Sequence, residues 1–257
     1  MNVRLVDHMG DDAAIVQAAR VSYGDGTKTV NEDRQLIRYL MRHWHTTPFE
    51  MVEFKFHVRV PIFVARQWLR HRTASVNELS ARYSIVKDDF WLPSEYRSQS
   101  VTNKQGSGET SFDDTSAHMS QTHSSEIAFQ VYDGLVSRGI SRELSRIHLP
   151  QSTFTEFYWK INLHNLFHFL KLRMDSHAQK EIRECASQMF ELIKPIVPMS
   201  CEAFLDYRMN ALTLTGPETR ALKTGDDSYL SKGEKREFEE KCRSLGLQCT
   251  KSTEESI

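Results

Sequence analysis

The sequence predicts an α+β fold, a single domain whose central, mostly antiparallel sheet is flanked by helices. Three observations predict it. Val52, Phe54, Phe56, Val58 and Val60 alternate with Glu53, Lys55, His57 and Arg59, the two-residue period of a strand with one buried face. Thr153 to Ile161 is rich in aromatic and β-branched residues, which suit a pleated, half-buried surface. The intervening stretches carry capping residues and apolar periods of three and four, the marks of helices.

Taken in order, Asn2 to Val6 reads as a short strand and Asp11 to Val21 as a helix that starts at Asp11 or Asp12. Asn31 caps a second helix reaching His45, with Leu36, Ile37, Leu40 and Met41 on one face. Thr47-Pro48-Phe49-Glu50 fits a capping box with proline at the first helical position. Pro61 opens a helix through about Arg70, placing Arg66 and Arg70 one turn apart. Residues 71 to 80 read as a polar loop, and Ala81 to Val86 as a strand. Gln99 to Thr122, rich in Ser, Thr, Gly and Asp, reads as a mobile loop. Helices resume at Ser124 to Ser137 and at Ser141 to His148. The longest helical stretch runs from Asn162 to Ile196, with a break near Arg173 to Ser176. Beyond Thr215 the chain turns polar and charged. Residues 1–215 are therefore expected to form the domain, and 216–257 a peripheral extension.

With 33 basic and 34 acidic side chains, the chain of 257 residues has a formal net charge of -1. That balance argues against a surface built for nucleic acid or anionic lipid. No apolar run approaches the ~20 residues that span a bilayer, and Met1 to Met9 lacks a signal-peptide core, so a cytoplasmic location is expected. Cys185, Cys201, Cys242 and Cys249 show no Cys-x-x-Cys pairing and no histidine at zinc spacing. They read as reduced structural or surface thiols, and no metal site is expected.

The stretch from Arg70 to Arg82 stands apart. Arg70, Arg72 and Arg82, with His71, crowd positive charge into 13 residues that have almost nothing to bury. Planar guanidinium forks suit phosphate, and Ser75, Asn77 and Ser80 add neutral donors and acceptors for a heterocycle or ribose. A solvated basic loop with weak surface ion pairs is the competing reading. Composition leaves both open.

Arg70-His71-Arg72, seven residues, then Ser80, together with Ser75, Asn77, Glu78, Arg82 and Tyr83, resembles the signature of the flavin-dependent thymidylate synthases. The likeness continues through Thr47-Pro48-Phe49-Glu50 and Gln67-Trp68, and through Arg142-Glu143-Leu144-Ser145-Arg146. It then takes in Asn162 and Leu172-Arg173-Met174-Asp175-Ser176-His177-Ala178-Gln179, so that it spans roughly residues 15 to 208. This chain has Ala81 where the family often has glycine, and His164 where it often has arginine.

The resemblance implies an enzyme that binds FAD and dUMP side by side. It takes a methylene from methylenetetrahydrofolate, uses NADPH as reductant, and works as a homotetramer with shared active sites. Carried over by position, Thr47, Arg70, His71, Arg72, Glu78, Asn162, Leu163, His164 and His168 contact FAD. Gln67, Trp68, Leu69, Arg70, Glu78, Leu79, Ser80, Ala81, Arg82, Arg146 and Arg173 form the dUMP site. Arg173 is the implied catalytic residue, favouring ionisation of the uracil N3, with a salt bridge to Asp175 or Glu181 as its structural alternative. An ideal helix sets Arg173 roughly 140° around from His168, so the two do not face the same ligand atoms unless the helix breaks, which suits two ligands on different sides or a subunit interface. No cysteine lies in these regions, which fits a mechanism without a protein nucleophile.

Overall fold

The computed structural model describes residues 1–21, 30–101 and 106–247. The chain forms two compact units, Met1–Arg208 and Met209–Ile257. The first is built on four strands, β1 (Asn2–Met9), β2 (Glu53–Pro61), β3 (Ser75–Glu78) and β6 (Phe154–Asn162). They form an antiparallel sheet in the order β1-β2-β6-β3. A separate two-stranded hairpin joins β4 (Tyr96–Gln99) and β5 (Ser107–Phe112).

The alternation read in the sequence governs the sheet. In β2, Phe54, Phe56, Val58 and Val60 are fully buried while the residues between them are not. Across the β2–β6 ladder Phe56 faces Trp159 and Val58 faces Phe157. Three helices pack on the sheet, α4 (Ile62–Trp68), α7 (Leu163–Arg173) and α8 (Lys180–Ile193), and α1 (Asp12–Arg20), α2 (Val30–Arg42), α3 (Thr47–Glu50) and α9 (Pro198–Phe204) pack on these and on one another. Further along lie α5 (Thr115–Ser137) and α6 (Arg142–Ser145), the latter continued by a 3-10 turn, Arg146–His148.

Trp68, at the end of α4, is the centre of the core. Its indole meets Phe157, Trp159 and Phe169 at centroid separations of 5.7, 5.5 and 4.8 Å. All four rings are buried. Aromatic groups at such separations add attraction beyond the area they bury. The cluster pins α4 and α7 to β6, and so fixes the ends of both helices.

Several boundaries differ from the sequence reading. β1 runs on to Met9, and α2 begins at Val30, which puts Asn31 inside the helix and ends it at Arg42, short of His45. The cap of α3 is Thr46, without a side-chain bond, so the expected box at Thr47 does not form. Pro61 is the residue before α4, and Arg70 lies beyond the helix, so the pairing with Arg66 over one turn is lost. Residues 75–78, expected as loop, are the edge strand β3 on β6. Residues 81–86, expected as strand, are turned instead, because the amides of Tyr83 and Ser84 both donate to the Ser80 carbonyl at 3.1 Å. Gln99 to Thr122 contains β5 and the first turns of α5, capped by Asp114, whose carboxylate accepts from the Ala117 amide at 2.8 Å. The break expected near Arg173 to Ser176 is present between α7 and α8.

The second unit, followed through residue 247, carries α10 (Gly216–Thr224) and α11 (Lys232–Ser244). Capping boxes at Thr215/Glu218 and Ser231/Glu234 start both helices. Ala221, Leu230, Phe238 and Cys242 form their small core, against which Leu214 packs. Cys185 and Cys201 are buried free thiols. Cys242 is disulfide-bonded, which corrects the expectation of reduced thiols throughout, and Cys249 lies outside the described residues.

One buried acid ties the N-terminal helix to the far end of the first unit. Asp12 accepts from the Met199 amide at 2.7 Å, and from the Ser200 amide and hydroxyl at 3.1 and 2.6 Å, where α9 begins. Asp12→Ala strands those donors and is expected to lower stability by about 1–3 kcal/mol. Denaturant unfolding measures this, and an unchanged midpoint would contradict it.

Candidate active site

The loop that leaves α4 and the C-terminal end of α7 meet. Nε of Arg173 donates to His71 Nε2 at 3.2 Å, and its Nη2 donates to the Gln67 carbonyl at 3.3 Å. The His71 ring stands edge-on to Phe169 at 4.9 Å and lies 5.7 Å from the His168 ring. His71 therefore spans the angle between His168 and Arg173, which the helix alone points apart. The Gln67 side-chain amide donates to Gln179, the residue before α8.

Among the described residues no carboxylate pairs with Arg173. Asp175 bonds His177 at 2.8 Å, and Glu181 bonds Arg97 at 2.5 Å, so neither structural alternative for Arg173 forms. Arg70, Arg72 and Arg146 likewise have no ion-pair partner among the described residues, and all three are exposed. Arg82 does have one, Glu143, at 3.4 Å. A cation left without an ion-pair partner attracts an approaching anion.

Burial and charge set the protonation states. Burial, then the Arg173 charge, then His168 push His71 down to about 4, so its ring is neutral. Burial also lowers Arg173 from its usual value, yet a guanidinium stays protonated at neutral pH. Burial lowers His164, against an opposing pull from Glu50.

Two cavities adjoin the motif-bearing stretches of sequence. The first, about 280 Å³, is mostly aromatic and aliphatic, with Trp44, Phe49, Phe167 and Phe204 in its wall and His164 and His168 beside them. At its edge Arg208 stacks on Trp44, its guanidinium carbon 3.2 Å from the ring centroid, and donates to the Met41 carbonyl at 2.6 Å. Trp44 has φ of +60°, a left-handed conformation uncommon for a bulky residue. The second cavity, about 370 Å³, collects Glu78, Leu79, Ala81 and Arg146, with Glu143 and Thr155. The Thr155 hydroxyl donates to Glu78 at 2.6 Å.

The residues expected at the site thus fall into groups. Gln67, His71, His168 and Arg173 come together; Glu78, Leu79, Ala81 and Arg146 share the second cavity; His164 and His168 share the first. Thr47 lines a separate groove with His45. Ser80 sits in the turn, where its hydroxyl accepts from the Arg82 amide at 3.3 Å. Asn162 caps α7 by accepting from the Asn165 amide at 3.0 Å. Trp68 and Leu163 are fully buried in the core, and the Leu163 amide donates to the Val52 carbonyl at 2.8 Å. Leu69 closes the last turn of α4 through its amide. Gln179, Glu143, Thr155, Arg208 and Trp44 were not assigned from sequence. Gln179 and Glu143 stand inside the family-like motifs, whereas Thr155 and Arg208 carry no motif signal.

A family model described as thymidylate synthase complementing protein matches residues 4–199. A flavin-dependent thymidylate synthase of Dictyostelium discoideum is 56% identical over 239 residues, 91% of this chain and 78% of that protein. Its namesake from Thermus thermophilus is 55% identical over 221 residues, 86% and 82% of the two chains. A third, from Treponema denticola, is 50% identical over 250 residues, 94% of each. Among solved structures, the UMP/dUMP methylase PolB from Streptomyces cacaoi bound with 5-Br dUMP is similar at a TM-score of 0.73 and 37% identity. That match covers 81% of this chain and 96% of the other.

The neutral state of His71 has a measurable consequence. Between about 4, its value in the fold, and roughly 6.5, its value when unfolded, the unfolded chain holds more protons at this position. The stability this group contributes is present above that window and lost as pH falls through it. Ring resonances of His71 are expected to titrate near the lower bound in ligand-free protein, and His71→Gln to flatten the pH dependence of unfolding over the same range. A ring titrating near 6.5 would contradict the reading.

Proposed function

The chain belongs to the flavin-dependent thymidylate synthase family, and from that premise we propose that it converts dUMP to dTMP with methylenetetrahydrofolate as carbon donor and NADPH as reductant. One observation carries the reading furthest: a half-buried guanidinium, Arg173, held by neutral partners and without a counter-ion among the described residues. In the net reaction, C5 of the uracil loses a proton and gains the methylene carbon. A hydride completes the methyl group, tetrahydrofolate leaves, and NADPH ends as NADP⁺.

The residues fit the cofactor that the family name implies. Exposed, unpaired Arg70 and Arg72 suit a diphosphate, and the aromatic first cavity with His164 and His168 suits a planar heterocycle. Thr47, Glu78, Asn162 and Leu163 are assigned to the same FAD, the last two through the start of α7. Bound FAD supplies the hydride that the methylene carbon accepts.

The remaining work belongs to the protein. Arg173 places a positive charge beside the pyrimidine and favours ionisation at N3, which enriches C5 in electrons. Arginine cannot act as a base here, so its part is electrostatic. Gln67, Arg70, Arg82 and Arg146 hold the nucleotide, with Glu78 and the turn Leu79-Ser80-Ala81 supplying polar and backbone groups around the second cavity. Neither buried free thiol replaces this strategy: burial pushes Cys185 and Cys201 up to about 12, so neither is a thiolate at neutral pH.

We assign a homotetramer with shared sites. Val76, Leu79, Tyr83, Ile85, Leu144 and Ile147 are exposed large apolar residues on and around the arginine-bearing turn, Tyr83 at 77% and Ile147 at 66%. Apolar groups gathered in this way mark a surface for another chain.

Tritium release from [5-³H]dUMP, dependent on methylenetetrahydrofolate and reduced flavin, tests the activity. Arg173→Ala is expected to abolish release while the protein keeps its yellow colour. Joint loss of flavin and turnover would move Arg173 to the cofactor site, and no release from flavin-loaded wild type would remove the synthase reading. Cys185→Ser and Cys201→Ser are expected to keep turnover, and a folded but inactive serine variant would restore a nucleophilic thiol.

A further inference from the structure

An arginine offers only donors, so whatever ring nitrogen faces it must carry a lone pair. Arg173 Nε stands 3.2 Å from His71 Nε2. Nε2 is therefore the acceptor, and the neutral imidazole keeps its proton on Nδ1. The second bond, from Arg173 Nη2 to the Gln67 carbonyl, also ends on a neutral acceptor. Two bonds lock the guanidinium plane, and neither cancels its charge.

The imidazole is itself held in place. Phe169, fully buried, meets the ring edge-on at 4.9 Å, and His168 lies tilted 5.7 Å away. Alternatives at position 71 fail for identifiable reasons. A carboxylate there neutralises Arg173 by ion pairing. A lysine or arginine repels it. An aliphatic residue leaves Nε without a partner in a half-buried place. A neutral acceptor on a rigid, seated ring meets both demands.

We propose that His71 is a positioning residue for Arg173: as the Nδ1–H tautomer it aims the guanidinium at the pyrimidine and leaves the whole positive charge for an ionised N3. This role is additional to any contact His71 makes with flavin, for which Nδ1–H stays available as a donor. It rests on the reading of dUMP as substrate and Arg173 as its electrostatic partner.

The test compares two amides. Glutamine carries its amide oxygen at about the place of Nε2 and can accept from Arg173, whereas asparagine reaches only the place of Nδ1. The readout is binding of 5-fluoro-dUMP relative to dUMP by calorimetry on flavin-loaded protein, because fluorine makes N3 more acidic and a charge that favours the N3 anion tightens the analogue. Wild type and His71→Gln are expected to share the preference, and His71→Asn and Arg173→Ala each to lose about tenfold of it. A folded His71→Asn that keeps the full preference overturns the inference while leaving the substrate reading intact. Wild type that binds neither nucleotide overturns both. Ring ¹⁵N shifts of His71 in the unmodified protein decide the tautomer without any variant: a proton found on Nε2 overturns the proposal, and one on Nδ1 supports it.

Discussion

The seat that Trp68, Trp159 and Phe169 make together is the constraint from which the site follows. These rings fill the space where α4 and α7 cross β6, each within about one ring diameter of the next. α4 ends on Trp68, so the loop bearing Arg70, His71 and Arg72 leaves from a point that cannot shift. α7 carries Phe169 inward and Arg173 at its last residue. One hydrophobic contact thus fixes both partners of the His71–Arg173 bond. A core that slipped by a fraction of an ångström would pass the error straight to the guanidinium, since close-packed interiors transmit strain.

Against that rigid background the electrostatics are deliberately incomplete. Elsewhere the protein pairs its charges readily: Arg34 and Arg38 with Glu202, Arg59 with Asp89, Arg97 with the buried Glu181. Acids near Arg173 exist, yet they are engaged with other groups. Asp175 caps the following turn by accepting from the His177 amide, and Glu181 lies in the first turn of α8. Partial dehydration strengthens any anion that approaches Arg173, because fewer waters screen it. The same logic makes the His71 ring neutral: a second cation beside Arg173, half removed from water, is the one species the place disfavours.

What could be read from the sequence depended on whether burial left a pattern. β2 is legible residue by residue because one face is wholly buried and the other is not. α1 is legible because Asp11 caps it, accepting from the Ala13 and Ala14 amides. β3 carries no such trace: all four of its residues are exposed, and it is a strand only through backbone bonds to β6. The β4–β5 hairpin is hidden in the same way, by polar composition that reads as loop. For the site, Arg70 to Arg82 and Arg173 are legible as motifs, while the bond between His71 and Arg173 is not, since residues 71 and 173 are brought together only by tertiary packing. Trp68 is the converse case. It sits inside a motif, but its motif neighbours face outward while its own side chain serves the core.

The grouping of the assigned residues bears on how the site is completed. Gln67 and Arg173 are joined by a hydrogen bond, whereas Glu78, Leu79, Ala81 and Arg146 border a cavity that neither of them lines. One nucleotide is assigned to both groups. Tyr83 and Ile85 of the turn face water. Yet Tyr83 and Ser84 are fixed to Ser80, and the Tyr83 carbonyl accepts from Arg142 at 2.7 Å. Apposition of a second copy would cover the apolar side chains that the turn exposes. The assembly proposed above would therefore bury the uncovered apolar rim around the turn that carries several of the residues assigned to the nucleotide.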